Sequence, residues 1–332
     1  MLPRVSRTFA INIEWLDPGM RESVRTAYLL CRAADALEDS WPDSPSGIRA
    51  RFHEFLAALD GDAAAAARLA EGARARADGA EDLGLLAHLP LLLGNLATLS
   101  CADQAILRRG VRVMSEGMSR YASRAAERGD AASYLDDAAE LRDYCFVVAG
   151  CVGVLLTKLI HARRTGEPEE IRRRRLELAP RVGEALQLTN ILLDWPADVR
   201  RGRSYLPASW LTEHGLTVAD LSRPDRPQLR ALALRLESLA HAALDEVADY
   251  MDTIPRRQLR YRLFCLWPAL WARASLRLVH GAPEFPAAAT RPKLSRRQLW
   301  NRAAGSLPVV FSHRGVRAML AQDAPRPARR AD

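Results

Sequence analysis

Apolar residues in this chain recur at helical spacing, and two lines of polar residues cut through otherwise apolar helices. From Pro18 to Ser40, Ala27, Leu30, Cys31, Ala34 and Leu37 fill most faces of a predicted helix. Tyr28, Arg32, Asp35 and Asp39, spaced four, three and four, share one stripe, with Glu38 beside the second carboxylate. The second line lies in EALQLTNILLDWPADVRRGRSYLP, Glu184 to Pro207. There Leu186, Leu188, Ile191, Leu192 and Leu193 are apolar, while Gln187, Asn190, Asp194 and Asp198 are spaced three, four and four. Pro196 removes a backbone donor, at roughly 3 kcal/mol inside a regular helix. It predicts a kink or an end between Asp194 and Asp198.

The remaining pattern is also helical. After a Pro- and Ser-rich loop at Trp41–Gly47, an amphipathic helix is expected from Ile48 to about Asp60. Residues 61–80 read as a variable connection or a surface helix, and 83–125 as two helices in which Gly117, Ser119 and Tyr121 line a cavity or simply pack. Ser133 to His161 begins charged, with Ser133 as its expected cap, and turns apolar. Its small residues Ala149, Gly150 and Gly153 admit either a neighbouring helix or a long apolar ligand. Tyr144, at the polar-to-apolar change, is a pocket entrance or a core tyrosine. Further helices are expected over 228–251 and Arg256–His280, the latter kinked at Pro268, then a short one in PKLSRRQLW. Residues 322–332 read as a disordered tail.

Composition supports an all-α chain: Ala, Leu and Arg dominate the 332 residues, while Thr, Ile and aromatics are sparse. A balance of 48% hydrophobic and 27% charged residues is that of a folded soluble protein. The net charge of +8 favours acidic partners such as phosphorylated substrates or an anionic membrane surface. No zinc-finger or RNA-binding signature accompanies it, so no nucleic acid partner is expected. Five cysteines without a Cys-x-x-Cys pair read as reduced thiols, and seven histidines without HExxH spacing leave zinc unsupported. No signal peptide is evident, so a cytoplasmic protein is expected, with peripheral membrane contact open to its basic surface; a monomer is the expected state.

The stripes suggest chemistry. Carboxylates one turn apart repel each other, and a hard cation such as Mg²⁺ relieves that repulsion while bridging to phosphate. Arg200, Arg201 and Arg203 follow the second stripe, and arginine suits phosphate oxygens. A solvated charged face is the plain alternative for either stripe alone. Two of them, facing across a bundle, make a metal–diphosphate site.

Four segments in order then resemble the squalene/phytoene synthase family: SRTFA (6–10), YLLCRAADALED (28–39), YCFVVAG (144–150) and LQLTNILLDWPAD with GRSYLP (186–207). The resemblance spans Ser6 to about Trp300. It implies an isoprenoid synthase fold, a single helical bundle around a central apolar cavity, over residues 1–321. It also implies that Asp35, Glu38, Asp39, Asp194 and Asp198 hold Mg²⁺, and that Asp35, Asp39, Asp194 and Asp198 form the catalytic set with Tyr144. Ser6, Arg7, Phe9, Tyr28, Arg32, Val148, Gln187, Asn190, Arg203, Phe264, Cys265 and Pro268 would contact the prenyl diphosphate. FCLWP (264–268) resembles a segment of the squalene-forming branch, where Asn190, Lys293, Ser295 and Arg296 would meet NADPH. The implied reaction joins two farnesyl diphosphates through presqualene diphosphate and reduces the product to squalene. Phytoene or dehydrosqualene formation without NADPH is the alternative, and a silent prenyl-diphosphate binder a third. Leu193 stands where the family usually carries Arg, and Ala197 where it carries Glu.

Overall fold

The polar stripes do fall on two helices, and the other elements hold those two apart across a cleft. The structure is a computed structural model and describes residues 12–76, 81–129, 132–164, 166–223, 225–286 and 291–322. Among the described residues there is no strand.

Helix α1 (Pro18–Asp39) carries the first stripe, with Pro18 in the first turn where its missing N–H has no acceptor to lose. Helix α2 (Pro45–Asp60) begins earlier than Ile48 because the Ser44 hydroxyl accepts from Gly47 N at 3.2 Å and Pro45 is preset for a first turn. It ends on Gly61 at φ 117°, a left-handed backbone that favours glycine. The stretch read as a connection or surface helix forms α3 (Ala63–Arg74), capped by Asp62, and it buries Ala65, Leu69 and Ala73. Three helices rather than two follow: α4 (Glu81–Leu86), α5 (Leu89–Ala97) and α6 (Cys101–Arg128). Pro90 restarts the chain as α5, and Ser100 caps α6 through Asp103 N at 3.2 Å.

The run expected from Ser133 starts later and is not uniform. Helix α7 (Ala138–Cys145) is capped by Asp137, whose carboxylate accepts from Ala139 N and Glu140 N. Ser133 instead spends its hydroxyl on the Ser204 and Leu206 carbonyls, pinning the basic loop. A π-helical turn (Phe146–Gly150) leads into α8 (Cys151–Ala162). Ala138–Ala162 is the one stretch of the described residues long and apolar enough to cross a membrane, yet it packs along α9 within the bundle.

Helix α9 (Glu169–Arg200) carries the second stripe and does not end at Pro196. Leu192, Leu193, Trp195 and Pro196 are all buried, and that burial outweighs one missing hydrogen bond. The helix closes at Arg201, with Gly202 at φ 73° turning the chain. Where α8 crosses α9, a Cβ on Gly153 would lie 2.3 Å from the Ala179 carbonyl oxygen, and one on Gly183 2.2 Å from that of Ala149. The small residues of α8 therefore serve helix approach. Gly117 also packs, since its Cβ would strike the Val147 side chain.

After α10 (Ala208–Glu213), α11 (Gln228–Asp252) lies along α9, and α12 (Leu259–His280) continues through Pro268. Helices α13 (Arg296–Ser306) and α14 (His313–Ala321) form a hairpin on α12 and α11. One large apolar core runs through the bundle, and a small cluster of Leu263, Trp267, Ala303 and Val310 attaches α13. All five cysteines are unpaired; four are buried and Cys101 is exposed.

Candidate active site

Helices α1 and α9 line opposite walls of a cleft of about 400 Å³. Arg32, Asp35, Glu38 and Asp39 come from α1, and Gln187, Asn190, Asp194 and Asp198 from α9. Tyr144, Val148, Met118, Ile191 and Tyr205 form its apolar and aromatic parts, and Ala197 and Arg201 complete the lining. Ten of the residues singled out from sequence thus meet in one place.

Five carboxylates here face one another, and the electrostatics show it. Burial raises Glu38 to about 8, helped by Asp39 and Asp35 and opposed by Arg203. Its Oε1 is buried without a hydrogen-bond partner. Asp198 is pushed up to about 7 by burial and by Asp194 and Asp39, against Arg201 and Arg203. Asp194 is also raised by burial, although Arg291, Arg201 and Lys293 pull it down.

Arginines answer these charges one by one. Arg32 donates to Asp35 at 3.0 Å, Arg203 to Asp39 and to the Glu38 carbonyl at 3.2 Å, and Arg291 to Asp194. With three carboxylates turned to arginines, no three acidic, His or Cys side chains among the described residues converge on one point. The set still fits Mg²⁺: all the side-chain donors are hard oxygens, Glu38 has an unsatisfied atom, and burial together with like-charge repulsion raises Asp198.

The floor is aromatic. Tyr144 is buried, stacks on Tyr205 at 5.1 Å and meets Tyr121 edge-on at 5.3 Å, while Tyr134 packs on Tyr205 at 4.9 Å. The Tyr144 hydroxyl is raised by burial, then by Tyr205 and Glu38. Tyr121 donates to Asp143 at 2.7 Å, so its polar end points away from the cleft.

Some expected contacts lie elsewhere. Tyr28 is half-buried against the core and does not line the cleft. Phe264, Cys265 and Pro268 sit on α12; Phe264 and Cys265 are buried, with Phe264 stacked on Tyr261 at 6.2 Å, and none of the three lines the cleft. The stretch from Leu263 to Ala272 of α12 is apolar throughout, so Phe264 and Cys265 pack in the core while Pro268 is half-buried. Ser295 caps α13 by accepting from Gln298 N, so its hydroxyl is already engaged. Lys293 acts on Asp194 electrostatically, and Arg296 is exposed. Leu193 is buried away from the cleft. Ser6, Arg7 and Phe9 lie outside the described residues. Sequence reasoning missed Arg291 and Tyr205. Tyr205 directly follows the basic loop, which is a usable signal, whereas Arg291 reaches Asp194 from far along the chain.

An all-α bundle with opposed acidic helices around a polar-mouthed cleft defines the isoprenoid synthase fold. The ligand-bound TcSQS structure superposes with a TM-score of 0.79 at 22% identity, covering 99% of this chain and 91% of that one. A dehydrosqualene synthase in complex with a ligand superposes at 0.60 and 23%, covering 92% and 94%. The squalene/phytoene synthase family model matches residues 2–298, and the chain belongs to that family. It is 28% identical to the squalene synthase of Eremothecium gossypii over 284 residues, 85% of this chain and 61% of that protein. The Homo sapiens squalene synthase matches at 28% over 279 residues, 83% and 61%. The chain therefore spans about three fifths of the length of these curated relatives.

Proposed function

We propose that this protein joins two farnesyl diphosphates head to head through presqualene diphosphate and then reduces the product to squalene with NADPH. The observation that carries the reading is the facing of Asp35, Glu38 and Asp39 with Asp194 and Asp198 across one cleft, with arginines between them. Those five carboxylates would hold Mg²⁺, which when bound neutralises diphosphate charge and aids its departure. Arg32, Arg201 and Arg203 grip diphosphate oxygens, as guanidinium forks do. Gln187 and Asn190 orient the substrate at the mouth. Val148, Ile191 and Met118 keep water from the allylic cation left when the C–O bond ionises, and the Tyr144–Tyr205 stack offers it a π face. Lys293 and Arg296, with Arg291, give NADPH phosphates a cationic approach beside Asp194, and NADPH supplies the hydride.

The non-reductive reading, dehydrosqualene or phytoene formation, is favoured by one observation. Ser295 is committed to a helix cap and Leu193 to the core, which leaves fewer groups to receive NADPH. Incubation with farnesyl diphosphate and Mg²⁺, with and without NADPH, followed by mass spectrometry of extracted lipids, decides between them. Squalene only with NADPH is the expected result. Dehydrosqualene in both arms assigns the non-reductive branch, and no product overturns the prenyltransferase reading.

A further inference from the structure

The C-terminal hairpin carries chemistry that the cleft does not use. From Arg297 to Gln322 the sequence contains four Arg and no Asp or Glu. Its inner side is fixed: Trp271 donates to the Leu299 carbonyl at 3.2 Å, Trp267 to the Ser306 hydroxyl at 3.0 Å, and Arg317 to Asp249 at 2.6 Å. Its outer side is unusual. Trp300, Leu307 and Phe311 are 52%, 44% and 54% exposed, and with exposed Ala304 they are spaced four, three and four. Trp300 and Ala304 lie one turn apart on α13, and Leu307 and Phe311 follow in the turn into α14, so an apolar patch faces water. Trp15, 40% exposed, borders the same lobe, its ring edge-on to Trp267 at 5.5 Å.

Basic residues frame the patch. Arg297 lies one turn before Trp300 and Arg314 just after Phe311, and both are exposed. Between α13 and α14 runs a groove of about 520 Å³, walled by Gly305, Val309, Gly315, Ala318 and Met319, with Arg302 at its side. Nucleic acid or an acidic protein would satisfy the cations and leave Trp300, Leu307 and Phe311 wet. A purely apolar partner would leave the cations without a role. A bilayer with anionic headgroups takes both, arginines at the phosphates and tryptophan at the interface.

We propose that the outer face of α13 and α14 docks on anionic phospholipid membranes. Trp300, Leu307 and Phe311 enter the headgroup–acyl boundary, while Arg297 and Arg314 meet lipid phosphates. This gives the peripheral contact open to the chain a location. It draws its purpose from the prenyltransferase reading but not its evidence, since docking is measured without turnover. The hairpin begins five residues beyond Arg291, which donates to Asp194.

The test is co-sedimentation of the full chain with vesicles of phosphatidylcholine alone or with added phosphatidylglycerol. Binding is expected only to the anionic vesicles and is expected to weaken as salt rises. The double variant Trp300→Ser/Phe311→Ser should lose about tenfold or more in affinity, as should Arg297→Glu/Arg314→Glu, each with an unchanged melting temperature. A wild-type chain left in the supernatant overturns the proposal. So does wild-type affinity in both double variants, or tighter binding to polyuridylate than to vesicles. Lipid turnover in detergent is assayed alongside: vesicle binding without turnover defeats the chemical reading alone, and turnover without vesicle binding defeats this one alone.

Discussion

Asp194 shows in one side chain what the cleft is built to do. Burial raises its carboxyl while Arg291 and Arg201 steady the charged form, so it is poised between a proton and an arginine. Asp194→Asn keeps shape and hydrogen bonding but removes the charge. Steady-state assay of Mg²⁺-dependent diphosphate release should show a loss of roughly 10²–10³-fold for it and for Asp35→Asn, the range seen when one transition-state-stabilising group is removed. Full activity in either variant would remove the carboxylates from the reaction. Tyr205→Leu should leave folding intact and reduce turnover more modestly, because the Tyr144 ring keeps Tyr121 but loses its stacked partner. The acidic residues were legible in the sequence because their spacing is local and helical. Arg291 was not: the pair it makes bridges 97 residues, and no local period reports that. Ser295 is the opposite case, a residue whose local role as a cap its own sequence context explains.

At the scale of the helices, the crossing of α8 and α9 sets the position of Asp194 and Asp198 relative to Tyr144. Gly153→Ala places a methyl 2.3 Å from a backbone oxygen that belongs to a packed helix and has no rotamer to escape into. Urea unfolding should show a loss of about 1–3 kcal/mol or more, the usual toll of overpacking. An unchanged midpoint would mean the helices part without strain. Helix identities were readable from periodicity, but of the two outcomes Pro196 allowed, a kink or an end, the end does not occur, because the proline's penalty is local. The gain from burying Leu192, Leu193 and Trp195 is tertiary and invisible in a window of sequence. The late start of α7 has the same origin, since Ser133 is drawn to the carbonyls of Ser204 and Leu206 across the bundle.

For the whole molecule, His161 predicts how stability depends on pH. It is buried at the end of α8, its Nε2 has no hydrogen-bond partner, and burial with Arg175 and Arg172 pushes it down to about 4. The unfolded chain binds this proton near pH 6.5, whereas the folded chain does not until about 4. The folded state therefore keeps its full advantage above pH 6.5 and loses it as pH falls toward 4, by roughly 2–3 kcal/mol. Urea midpoints at neutral pH and at pH 5 should draw together in His161→Gln relative to wild type. Equal acid losses in both would assign the effect to other groups. The all-α class and the family were legible from composition and motif order. The docking hairpin was not, because exposure of Trp300, Leu307 and Phe311 depends on how α13 and the turn after it pack on α12.

The pairing of Asp35, Asp39 and Asp194 with Arg32, Arg203 and Arg291 has a thermodynamic corollary. Each partner serves as a placeholder: a diphosphate that claims the guanidiniums releases carboxylates, and a cation that claims the carboxylates releases guanidiniums. The two ligands then trade partners rather than compete, and each must raise the other's affinity by the same factor. Calorimetric titration of Mg²⁺ with and without inorganic pyrophosphate should show this as heterotropic cooperativity of about 1–3 kcal/mol beyond their association in solution. In Arg203→Ala, where Asp39 is released from the start, that coupling should shrink.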